Sequence, residues 1–159
     1  MKIINLLTAV FVSLLFFQCP YSSTVPIDKP GMEIDKKLLG KWQKSPSDMN
    51  YIEVTAKSKN EYTIRQCTYD TIKKEYNKTE YTAHLAKIEG ALFLNIKDDS
   101  GKYFFYKLDI EKDTLKALSV TSNITEVFSK SDSLKDFFKK HMKLSFFYNQ
   151  PAETFTKSK

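Results

Sequence analysis

From Trp42 onward, apolar residues recur at every second position in a series of short runs, and polar turn residues separate the runs. A period of two sends alternate side chains to opposite faces of a strand. Tyr51–Ala56 ends at the turn Lys57-Ser58-Lys59-Asn60, and the run 61–69 then places Tyr62 and Ile64 on one face. The run 76–88 carries Tyr81, Ala83 and Leu85 at alternate positions, and Glu89-Gly90 turns it into Ala91–Lys97. There Leu92, Leu94 and Ile96 point one way while Phe93 and Asn95 point the other. Asp98-Asp99-Ser100-Gly101 is a hairpin signal leading to 102–110, with Phe104, Tyr106, Leu108 and Ile110 on the inner face. Glu111-Lys112-Asp113 turns again, into 114–121 and then 123–129. No helical period interrupts the series, so a parallel sheet with crossover helices is excluded and an all-β antiparallel meander is predicted.

Helical spacing occurs at the two ends of this series. In MEIDKKLLGKW, residues Ile34, Leu38 and Leu39 share one face of a short helix that Gly40 ends, and Trp42 opens the first strand. In SDSLKDFFKKHMK, the residues Leu134, Phe137, Phe138, His141 and Met142 form one apolar stripe, which predicts a helix packed on the sheet. Ser131 or Ser133 is the expected cap, Asp132 and Asp136 lie near the positive end of the helix dipole, and Lys139, Lys140 and Lys143 lie near its negative end. A last short strand is expected around residues 154–156.

Composition narrows the function classes. The formal net charge is +6, yet Arg65 is the sole arginine and the lysines are scattered. Base and phosphate recognition favours the bidentate arginine fork, so the charge reads as a solvated lysine surface with no nucleic-acid partner. The chain has four glycines and no phosphate-cradling loop, G-x-S-x-G elbow or dinucleotide fingerprint. Its two histidines, His84 and His141, stand in no metal-ligand pattern, and Asp98-Asp99 reads as turn chemistry. The expectation is therefore a non-enzymatic protein with no catalytic residues, no metal and no cofactor.

Composition shifts sharply at the start of the chain. Lys2, the apolar run 3–17 and the polar Gln18 have the layout of an export signal, and the run is shorter than the about 20 residues that a membrane span needs. Residues 15–19, Leu-Phe-Phe-Gln-Cys, resemble the lipobox of bacterial lipoproteins. That resemblance implies cleavage after residue 18, a lipid on Cys19 as anchor to a membrane, and a place in the bacterial cell envelope. The other reading is an ordinary secretory signal cut near Ser22 to Thr24, leaving a secreted protein. Residues 19–32 carry Pro20, Pro26 and Pro30 among Ser and Thr and read as a flexible tether. Cys67, the only other cysteine, then reads as a buried, unpaired thiol. The 159 residues less the first 18 leave 141, enough for one core, with the folded domain at 33–159.

The order of these elements resembles the lipocalin plan: a short helix running into Gly40-Lys41-Trp42, antiparallel strands, a helix and a final strand. YTAHLAKIEGALFLNI, YFFYKLDIEKDTLKALSV and ITEVFSKSDSLKDFF also resemble lipocalin-like (calycin) lipoproteins of Bacteroidota-type bacteria. The resemblance implies an up-and-down barrel of about eight strands, a size that side chains fill or that holds one small ligand. It also implies that Gly40 and Trp42 close one end of the barrel under a basic side chain from a late strand. Only a lysine such as Lys130 or Lys157 could supply that side chain, since no arginine lies there. If the barrel is hollow, Tyr62, Ile64, Tyr81, Leu92, Leu94, Phe104, Tyr106 and Leu108 are the expected lining for a small hydrophobic molecule. If it is filled, the same residues are core and the protein is a structural or interaction module.

Overall fold

In the computed structural model, which describes residues 20–158, the chain forms a closed antiparallel barrel with one helix on its outside. Residues 1–18, expected to be an export signal, and Cys19 lie outside the described residues. Among the described residues there are nine strands: β1 (Ser22–Ser23), β2 (Gly40–Gln43), β3 (Tyr51–Ala56), β4 (Tyr62–Asp70), β5 (Glu75–Ile88), β6 (Ala91–Lys97), β7 (Tyr103–Glu111), β8 (Thr114–Ser119) and β9 (Glu153–Lys157). Each from β2 to β9 pairs with the next in sequence, and β9 pairs back onto β2, so the eight form an up-and-down barrel of the lipocalin-like kind. The ninth, β1, lies outside the barrel and extends the β7 edge, with Ser22 opposite Phe104 and Ser23 opposite Tyr103.

Strand directions define two ends. The β3–β4, β5–β6 and β7–β8 turns meet at one end, together with a 3-10 turn, Lys36–Leu38, whose Asp35 side chain accepts from the Lys37 amide. The β2–β3, β4–β5 and β6–β7 connections meet at the other. Positive backbone φ angles at Glu89, Gly90 and Lys112 accommodate the tight turns at the first end. On the outer face Arg65 ties three strands together, with Nη1 2.7 Å from Glu53 and Nε 2.7 Å from Glu80.

Two apolar cores share the sheet. One lies inside the barrel, with Leu38, Trp42, Tyr62, Leu85, Leu94, Leu108 and Phe155 among its members. The other lies on the outer face of β5–β7, where α1 (Ser131–His141) lays Leu134 and Phe138 against Ala86, Ile88, Phe93 and Phe105. The Phe138 ring sits 5.5 Å from Phe93, 5.2 Å from Phe105 and 5.1 Å from Phe147. Edge-on aromatic packing of this kind locks the helix in one orientation.

Four expectations are corrected. Residues 123–129 form no strand, because β9 occupies the β8 edge they would need. The expected helix over residues 34–39 is only the 3-10 turn. Lys130, not Ser131 or Ser133, stands at the α1 N-cap, and no side chain caps it. The segment 20–28 is not a free tether, since Tyr21 and Ile27 are buried in the outer core. Its amides and carbonyls find fixed partners. The Tyr21 amide donates to Val120 O (2.9 Å), its hydroxyl donates to Glu126 O (2.8 Å), and the Ile27 amide donates to the Asn95 side chain (2.9 Å). Nε2 of His84 lies 2.7 Å from Asp28 O, and the Asp28 carboxylate pairs with Lys135 of α1.

Candidate functional site: the barrel cavity

Inward-facing side chains leave the upper barrel open. The cavity has a volume of about 520 Å³, within the range of about 300–1,000 Å³ typical of small-molecule sites. Seven of the eight lining residues expected from alternation reach it: Tyr62, Ile64, Tyr81, Leu94, Phe104, Tyr106 and Leu108. Leu92 faces inward with them but lies beside the Glu89-Gly90 turn, so it packs into the floor without lining the cavity. Alternation fixes the face of a strand and says nothing of depth along the barrel.

The closed end is built as follows. The Trp42 indole, fully buried, donates from Nε1 to Leu38 O at 2.8 Å, which fastens the 3-10 turn across the barrel floor. Lys157 of β9 lays its Nζ 5.2 Å from the Trp42 ring centre and donates to Lys37 O at 3.0 Å. It is the late-strand basic residue, and Lys130 is spent at the start of α1. Gly40 makes room for it: φ is +125° there, and a Cβ would stand 2.8 Å from Lys157 Cε. Tyr62 finishes the floor, accepting from the Asp35 amide at 2.5 Å, and burial above all pushes its hydroxyl pKa up to about 12.

The mouth differs in chemistry. Cavity residues missed in the sequence include Ile52, Val54, Ile96, Leu115, Ala117 and Phe155, all at alternating strand positions that the same period marks. Pro20, Gln66 and Glu153 carried no such signal, being polar or outside the strand series. Glu153 pairs with Lys44 at 2.9 Å, both half exposed. Burial, then the charge of Glu153 and the neighbouring Tyr81, raise the Tyr106 hydroxyl pKa to about 12, so this group stays a neutral hydrogen-bond donor at any physiological pH. The cavity therefore has an apolar barrel and floor and a polar rim of tyrosine hydroxyls, one amide and one ion pair.

Neither histidine makes an acid–base pair. His84 meets the Asp28 carbonyl and no carboxylate, and the His141 ring packs against the Phe137 and Phe147 rings. Among the described residues, no three His, Cys, Asp or Glu side chains stand close enough to hold a metal ion. Cys67 is a buried free thiol on the outer face of β4. Against protein-family models, curated proteins and solved structures alike, the sequence finds no match.

Proposed function

We propose that this chain is an exported, lipid-anchored, lipocalin-like protein of Bacteroidota-type bacteria that carries one small hydrophobic molecule at the cell envelope. The observation that carries this reading is the open apolar cavity of about 520 Å³. A packed core leaves few voids larger than a water molecule, so a space of this size weighs against a barrel filled by its own side chains. The arrangement of polar groups narrows the ligand. An apolar body would lie against Leu94, Leu108 and Phe155, and a hydrogen-bonding head would sit at the rim beside Tyr81 and Tyr106. Burial of the apolar body supplies the driving force, at about 25 cal/mol per Å² of surface removed from water.

Titration with the fluorescent apolar probe N-phenyl-1-naphthylamine tests the reading. One equivalent is expected to bind with enhanced emission, and Ala117→Trp, which places an indole in the cavity, is expected to abolish uptake while keeping the β circular-dichroism spectrum. Absence of uptake by the wild-type protein would remove the carrier reading and leave the interaction-module alternative. The anchor is a separate matter: Cys19→Ser is expected to move the protein from the membrane fraction to the soluble one.

A further inference from the structure

We propose that the open mouth of the barrel faces the lipid headgroup surface, held there by the anchor at Cys19 and by Ile72 at the tip of the β4–β5 hairpin. The inference rests on the anchored reading above. The first observation is where the chain arrives. Pro20 lines the cavity and bridges to Thr121, and Tyr21 is bonded to Val120. Cys19 is the residue next to Pro20 in the chain, one peptide bond away. A free tether over residues 19–32 would let the domain stand up to roughly 50 Å from its anchor. The fixed segment 20–28 removes that slack and holds Pro20, the residue next to the anchor, at the rim.

The second observation is the hairpin. β5 pairs with β6 only from Thr82 onward, and β4 pairs with β3 only as far as Cys67. Residues 75–81 therefore run past the last β6 pairing, by roughly 24 Å at about 3.4 Å per residue. At the tip Ile72 is 91% exposed, a position with no folding benefit to an apolar side chain. Met49, on the neighbouring β2–β3 loop, is 47% exposed.

The third observation is the aromatic brace at the same end. Tyr76 packs edge-on against Tyr51 (5.3 Å) and Tyr69 (5.1 Å), and the Tyr69 amide donates to Asn50 at 2.9 Å. Tyrosine, apolar in its ring and polar at its tip, suits the headgroup layer. Charge takes little part: Lys73 and Lys74 stand beside Asp70 and Glu75, and Lys44 is paired with Glu153. The tip thus carries two acidic and two basic residues and no net charge, and its insertion through Ile72 is expected to depend little on salt. A molecule leaving the cavity would enter the bilayer surface without crossing bulk water.

The test uses the mature lipidated protein, which begins at Cys19, in phosphatidylethanolamine–phosphatidylglycerol vesicles containing doxyl-labelled lipid. An NBD fluorophore is attached at Ile72→Cys or, at the closed end, at Lys112→Cys, with wild type as control for labelling of buried Cys67. The label at position 72 is expected to be blue-shifted and quenched several-fold more than that at 112, with no change on raising salt. Equal or reversed quenching in protein that sediments with the vesicles overturns the orientation and leaves the anchor standing. Protein that stays in the supernatant, as Cys19→Ser is expected to, overturns both.

Discussion

Gly40 shows how one residue decides the closed end. Its φ of +125° already excludes most side chains, and Lys157 Cε stands 2.8 Å from the place of a Cβ. Gly90 has a φ of +88° but open space around it. Gly40→Ala is therefore expected to cost roughly 1–3 kcal/mol in backbone strain together with displacement of Lys157 from Trp42. Gly90→Ala should cost the backbone part alone, and urea unfolding of the two variants separates the contributions. The G-x-W triplet was legible in the sequence because Trp42 is the only tryptophan. Its partner was not, because Lys157 is one lysine among many and only the β2–β9 pairing brings it to Trp42.

At the scale of elements, periodicity was informative for strands and silent about what covers them. In β6 the two faces separate as expected, Leu94 and Ile96 into the cavity and Phe93 and Asn95 outward. Yet Phe93 and Asn95 are fully buried, since α1 and the segment 20–28 lie over them. Proline and serine content marked that segment as loose, whereas Tyr21 and Ile27 anchor it and His84 and Asn95 bind its backbone. This strap is expected to be pH-sensitive. Burial first of all pushes the His84 pKa below the usual imidazole value, only partly offset by the Asp28 carbonyl and the charges of Glu61 and Asp28. The unfolded chain then takes the proton more readily than the folded one. The stability contributed by neutral His84 is complete above a pH of about 6.5 and is lost as pH falls through the lowered folded value. The urea midpoint of the wild-type protein should therefore drop between neutral and mildly acidic pH, and the drop should be shallower in His84→Gln. Equal slopes in the two proteins would show that His84 does not control the strap.

For the whole molecule, the alternating strands give the barrel, and the barrel's fill decides its role. Counting apolar inward positions could not separate a hollow barrel from a filled one, because the answer depends on side-chain volumes at each level. The lower level holds Trp42, Tyr62, Leu38 and Leu85 and is packed; the upper level pairs Ala117 with Glu153 across β8 and β9 and stays open. A carrier needs this asymmetry, with a solid floor and an accessible mouth. Native mass spectrometry of the protein purified from its source tests that claim most directly. The account predicts a wild-type species carrying one additional, non-covalent lipid-sized mass, and its loss in a folded Ala117→Trp variant. A wild-type protein with no such mass, or the same mass in both proteins, would contradict it.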